Sequence, residues 1–164
     1  MFTWSLNVIS SKLIDFKALL SANYDDIEFR YIVYDTKAYE FSEEQLFGRH
    51  PKFLGGGTSN LVGYEKAEKV LQEYNYEEWN KFVIGIGDAG AHDGPATVEV
   101  LERIYPQLQY LAFVYADNGW WGDEQFIASM QDLASRKQWV GYAHLQKSDQ
   151  KSIISALRSL FPRR

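Results

Sequence analysis

Three glycines run into Thr58, Ser59 and Asn60 in the stretch GGGTSN, and the apolar run KFVIGIG is followed directly by Asp88. Hydroxyl and carboxylate oxygens are the donors that a hard cation such as Mg²⁺ prefers. Similar groups stand at Asp35-Thr36 and in the loops GDAGAHDG (87–94) and ADNGWWGD (116–123), which bring in His92, Asp93, Asp117 and Trp120. Each has a plainer role available. Glycines turn the chain, and Thr, Ser and Asn cap helices. Asp93, shortly before Pro95, holds the position of an N-cap for the helix that follows. Trp120-Trp121 reads as an anchor for a partner or as aromatic packing beneath a glycine-rich loop.

A catalytic reading and a nucleotide reading compete with a plain binding edge. Asp88 and Asp93 around Mg²⁺, with His92 as general base, would make a hydrolase or phosphoryl-transfer centre, but no nucleophile and base stand at a telling spacing. GIGDAG (85–90) matches G-x-G-x-x-G, yet AHDGP intervenes before helical character begins, whereas a dinucleotide loop opens its helix at the glycines. GGGTSN lacks the Lys of a phosphate-binding loop. His50, His92 and His144 have none of the helical spacing of zinc ligands, and His144, near the end of an apolar run, is expected to be a hydrogen-bonded core residue.

The elements that must position these groups follow from periodicity. IEFRYIVY (27–34) and KAYEF (37–41) predict two strands across a turn at Asp35-Thr36, and SEEQ (42–45) has the spacing of a capping box. From Asn60 to Tyr74 the residues Leu61, Tyr64, Ala67, Val70, Leu71 and Tyr74 share one helical face. KFVIGIG (81–87), QYLAFVY (109–115) and QWVGYAHL (138–145) read as buried parallel strands, alternating with the helical segments PATVEVLERIY, DEQFIASMQDLASRK and SDQKSIISALRSLF. Strand and helix in alternation predict a doubly wound, Rossmann-like α/β sheet, whose ligands bind at the carboxyl ends of its strands.

The chain has 164 residues, which suits one domain, and a net charge of −5 without clustered Lys or Arg, which argues against a nucleic-acid surface. It has no cysteine, so disulfides, thiolate metal sites and cysteine nucleophiles are excluded. No stretch reads as a secretion signal or a membrane span, and a cytoplasmic home is the expectation.

A hydroxyl residue after a glycine turn, then a strand ending at a carboxylate, resembles a von Willebrand factor A-like (VWA) domain. The metal-ion-dependent adhesion site of such domains uses a D-x-S-x-S motif, a Thr and an Asp. More closely, DTKAYEFSEEQLF, GGGTSNLVGYEKA, EYNYEEWNKFVIGIGDAG, YPQLQYLAFVYA and the final SIISALRSLF are similar to the VWA-like region of the bacterial sporulation- and stress-associated YhbH/YeaH family. The resemblance implies a single VWA-like domain over 1–164, a three-layer sandwich with a mostly parallel sheet and one short antiparallel edge strand. It also implies a cytoplasmic protein linked to partners of the SpoVR or PrkA type, and the leading expectation is a non-enzymatic protein-interaction domain that binds its partner at the carboxyl-end loops.

Carried over by position, Thr58 takes the metal-loop Thr and Asp88 the Asp, with Gly87 where a Ser would stand. In NVISS, Asn7, Ile9 and Ser11 occupy the three D-x-S-x-S positions, so one carboxylate and one hydroxyl are missing. Either this motif is degenerate, or an intact one lies upstream of a chain shortened at its N-terminus. The expected metal ligands are Thr58, Asp88 and Ser11, with Mg²⁺ binding weak or absent unless a partner adds a carboxylate. Asn7, Ser59, Asp35, His92, Asp117 and Trp120 are the expected partner-binding residues. A sheet lacking its central strand would expose long edges. FTWSLNVI (2–9), with Phe2, Trp4, Leu6 and Val8 on one side, is the candidate to fill it, and a poorly filled centre would favour a homodimer.

Overall fold

A computed structural model of the chain describes residues 17–18, 21–22, 26–47, 57–87, 89–116, 122–145 and 150–160. Strands β1 (Tyr31–Tyr34) and β2 (Ala38–Phe41) form an antiparallel pair, with Tyr31 opposite Phe41 and Tyr34 opposite Ala38. The turn between them is closed by Asp35, whose Oδ1 accepts from the Lys37 N–H at 2.8 Å, an Asx turn. The pairing stops at Phe41 because helix α1 (Glu43–Phe47) begins there with the expected capping box. The Ser42 N–H donates to Gln45 Oε1 at 2.8 Å and the Gln45 N–H to Ser42 Oγ at 3.2 Å. Ile27–Arg30, expected as strand, therefore has no partner in β2 and lies outside β1.

Helix α2 (Asn60–Leu71) buries Tyr64, Ala67, Val70 and Leu71, four of the positions that periodicity puts on one face. It ends three residues short of the expected Tyr74. Buried Lys81 turns its Nζ to the Leu71 carbonyl at 2.9 Å and the Tyr74 carbonyl at 2.6 Å, placing a cation where the helix leaves its last carbonyls unpaired. The Arg30 guanidinium donates to Glu40, to Glu73 at 2.8 Å and to Tyr74, fastening the hairpin to the chain that leaves α2.

Strands β3 (Phe82–Gly87), β4 (Tyr110–Ala116) and β5 (Val140–Leu145) form a parallel sheet in the order β3-β4-β5. Phe82 faces Tyr110, Gly87 faces Tyr115, and Leu111 faces Val140. Parallel strands require crossovers. These run through α3 (Gly94–Ile104) and α4 (Glu124–Arg136), and α5 (Gln150–Leu160) follows β5. Alternation along β4 sorts its side chains onto two faces. Leu111, Phe113 and Tyr115 pack with Tyr64, Leu101, Ile104, Phe126, Met130 and Leu133, while Ala112 and Val114 pack with Ala143, Leu145, Ala156 and Leu160. Helices thus cover the sheet on both faces, and Phe113 meets Phe126 edge-on with ring centroids 5.1 Å apart.

One expectation changes. The hairpin and the parallel strands were to share a sheet, but among the described residues they form two sheets, joined through α2. Among the described residues β3 has a strand on one side only; its Val83, Ile84 and Ile86 are half-buried and Phe82 is exposed, where Leu111 to Tyr115 of β4 are buried.

Candidate functional site

The carboxyl ends of β1 and β3 lie together, because the Tyr34 hydroxyl stands 3.3 Å from the place a Cβ on Gly87 would occupy. Around this point two loops are tied to the start of α2, and a third is tied to one of them. The Ser59 N–H donates to the Asp35 carbonyl at 2.7 Å, holding the hairpin turn against the helix N-terminus. Tyr34 donates its hydroxyl proton to Asn60 Oδ1 at 3.2 Å. The Asp123 N–H donates to the Ala89 carbonyl at 2.6 Å, joining the loop after β3 to the start of α4, where the Asp123 carboxylate caps Gln125 and Phe126. Ala89 is fully buried with φ +53°, a left-handed conformation that costs a non-glycine residue about 1–2 kcal/mol and persists only where the surroundings impose it.

Asp93 is the centre of this arrangement. It stands at the N-cap position of α3, as expected, but its side chain makes no cap bond to that helix. Instead Oδ2 accepts from Ser59 Oγ at 2.6 Å and from the Leu61 N–H at 3.1 Å, so one helix's N-cap residue closes the start of another. The reason lies in the sequence. An N-cap oxygen serves the second or third helical N–H, and Pro95 at the second position has none, which leaves Asp93 only the Ala96 N–H as a local partner. Thr97 Oγ1 holds the residue from behind, donating to its carbonyl at 3.0 Å and lying 3.2 Å from Oδ1. Ser59 itself caps α2, accepting from the Val62 N–H at 3.4 Å.

Gly85 and Gly87, which match the dinucleotide pattern, are residues of β3 rather than of a turn. A Cβ on Gly85 would stand 2.1 Å from the Tyr64 hydroxyl, so this glycine admits a tyrosine and not a phosphate. Two polar atoms at this place have no partner among the described residues: Asn60 Nδ2, on a residue with no exposed surface, and the Tyr64 hydroxyl, on a residue 4% exposed. Burial pushes the Tyr64 phenol well above its ordinary value, so it keeps its proton. Sequence reasoning counted Tyr64 as core and Asn60 as a cap; the G-x-G spacing opposite them was the available signal.

The chain matches the family model described as "Protein of unknown function (DUF444)" over residues 12–164. The chain belongs to this family. DUF444 is the YhbH/YeaH family, so that part of the resemblance holds. No solved structure matches the chain.

In this DUF444 chain the expected site residues divide. Thr58 is half-buried after Gly57, whose φ of +139° suits glycine, and it lies beside Ser59 at the head of α2. Asp35 shares this edge through the turn just described, and His92 is exposed on the loop between Ala91 and Asp93. Asn7, Ser11, Asp88, Asp117 and Trp120 lie outside the described residues, as do His50 and Trp121. Among the described residues no three His, Asp or Glu side chains converge as a metal site requires. Of the three implied Mg²⁺ ligands Thr58 alone is described, so the described donors do not make up the set that this ion would need. His144 departs from expectation. It is exposed at the carboxyl end of β5, an edge strand, with its ring stacked on Tyr115 at 4.8 Å between centroids. No helix among the described residues is long and apolar enough to cross a membrane.

Proposed function

We propose that this DUF444 chain is a non-enzymatic protein-interaction domain of VWA type, a three-layer sandwich that binds a protein partner at the carboxyl-end loops of its sheet. The contact surface comprises Asp35, Thr58, Ser59 and His92, extended by Asp88, Asp117 and Trp120. A degenerate adhesion-type metal loop around Thr58, Asp88 and Ser11 would hold Mg²⁺ weakly without a carboxylate from the partner.

The observation that carries this reading is a chain of bonds at the N-terminus of α2: Ser59 and Asp93 hold the hairpin turn and the loop after β3 to it, and the strained Ala89 holds the start of α4 to that loop. A surface fixed before binding loses less freedom when a partner docks. The same bonds speak against catalysis by Asp93, whose carboxylate is committed to Ser59 and Leu61. They also speak against phosphate at this helix, whose N-terminus already faces a carboxylate. Partners of the SpoVR and PrkA type, sporulation and stress roles, and a cytoplasmic setting belong to the proposal as implications of the family resemblance.

The test is titration of a purified SpoVR-type protein and a purified PrkA-type kinase against the wild-type chain and the Thr58→Ala/Asp88→Ala variant, with and without Mg²⁺. Binding by the wild type that weakens at least tenfold in the variant supports the loop edge. Equal binding by both proteins, or binding by neither, overturns it.

A further inference from the structure

A cavity of about 470 Å³ opens at the end of the hairpin away from Asp35, lined among the described residues by Phe29, Arg30, Tyr31, Glu40, Phe41, Ser42 and Glu43. Its walls are aromatic. The rings of Phe29 and Tyr31 stack with centroids 6.4 Å apart, and Phe41 stands opposite Tyr31 in the register of the two strands. Its carboxylates come from the place where pairing stops, for Glu40 lies in the last turn of β2 and Glu43 opens α1.

Two cations of the chain itself show what such groups hold here. Lys17 Nζ lies 5.4 Å from the centroid of the Phe29 ring and pairs with the Glu43 carboxylate. The Arg30 guanidinium lies 5.6 Å from the centroid of the Tyr74 ring and pairs with Glu40 and Glu73. Each cation thus sits between a ring and a carboxylate, the chemistry by which aromatic sites hold ammonium groups. Carboxylates are in surplus at this end, where Glu28, Glu40, Glu43, Glu44 and Glu73 gather against Lys17, Arg30 and Lys66. The side chains of Lys17 and Glu43 are 31% and 49% exposed, so water screens their pair and a competing cation can reach it.

We propose that this cavity binds an alkylammonium group, its carbon stem lying along Phe29, Tyr31 and Phe41 and its charge at Glu43, in the seat that Lys17 otherwise fills. The size and lining suit a small organic ligand, since such sites run about 300–1,000 Å³ with mostly apolar walls and a few polar groups. A long amine matches both parts, because its methylenes cover apolar surface while its charge stays at the wet rim. An anion would meet the carboxylate surplus instead. The cavity lies at the far end of the hairpin from the loop edge and is independent of the reading proposed above.

Titration of the full chain followed by NMR tests it, with spermidine as the free amine and an end-blocked peptide carrying a single lysine as the protein-borne one. Occupation predicts saturable shifts of the Phe29, Tyr31 and Phe41 ring protons that sodium chloride at matched ionic strength does not reproduce. Lys17→Ala clears the seat and should tighten binding about fivefold, the weight of an exposed ion pair and its ring contact. Glu43→Gln should weaken it about tenfold, the loss of one contact to a charged group. Lys151→Ala removes an exposed cation on α5 and should leave binding unchanged. A response to spermidine alone assigns the cavity to a free polyamine, and a response to the peptide alone assigns it to the lysine of a protein; either supports the site. No saturable response to either probe overturns it, as do equal shifts with sodium chloride. So does a Lys17→Ala variant that binds no tighter than the wild type, or no tighter than Lys151→Ala.

Discussion

Replacing Asp93 with Ala should weaken α2 rather than α3. The substitution removes a carboxylate that accepts at 2.6 Å from Ser59 Oγ and at 3.1 Å from the Leu61 N–H. Hydrogen bonds to charged groups contribute about 1.5–3 kcal/mol each, and because water reaches this half-buried site the lower figure applies, giving about 3 kcal/mol for the pair. For a chain of this size that corresponds to a loss of ~6–12 °C in Tm. Asp93→Asn keeps the shape without the charge and should lose about half as much. Urea unfolding gives the magnitude, and amide exchange gives the place.

The place is the decisive part. If Asp93 served its own helix, exposure would spread through the first turn of α3. If it closes α2, the amides of Leu61 and Val62 lose protection while that first turn keeps it, because the Thr97 N–H still bonds to the Asp93 carbonyl, a backbone group at 2.9 Å. A double-mutant cycle with Ser59→Ala should give a coupling of about 1 kcal/mol. A loss below about 1 kcal/mol, zero coupling, or exposure confined to α3 refutes the reasoning.

Gly85→Ala forces a Cβ to within 2.1 Å of the Tyr64 hydroxyl and 3.1 Å of its Cζ, inside a buried site, and should cost about 1–3 kcal/mol in thermal or urea unfolding. Tyr64→Phe in that background removes the atom in conflict and should recover part of the loss; a neutral Gly85→Ala would contradict the packing. In acid, Glu68 and Glu40 set the direction. The hydrogen bond from Arg103 holds the Glu68 carboxyl below its ordinary 4.5, and that from Arg30 does the same for Glu40. Both bind protons less readily folded than unfolded, so their contribution is complete above 4.5 and is lost as pH falls through the lowered folded values. Urea midpoints should therefore hold steady from pH 7 to 5 and drop below 4.5, less steeply in Arg103→Gln; a main loss above pH 6 would show that other groups govern the acid response.

The elements legible in the sequence are those whose causes are local. The box at Ser42 and Gln45 needs two residues three apart, and β3, β4 and β5 announce themselves as apolar runs because helices cover both of their faces. The site is hard to read for the opposite reason. Ser59 lies 34 residues before the carboxylate it meets, and local rules hand Asp93 to the helix it precedes. Yet Pro95 contains part of the clue: a capping carboxylate that has lost one of its two usual N–H partners is freer to meet donors elsewhere. Gly85 and Gly87 are hard to read in a similar way, since spacing shows that room is needed and not what fills it. Here tyrosines fill it, from a helix and a hairpin that the sequence places before β3. Both cases carry the same physical lesson. A group barred from its nearest partner, or a space left open by a missing Cβ, marks where a distant element must arrive. Asn60 Nδ2 and the Tyr64 hydroxyl, buried and without partners among the described residues, are two more such marks.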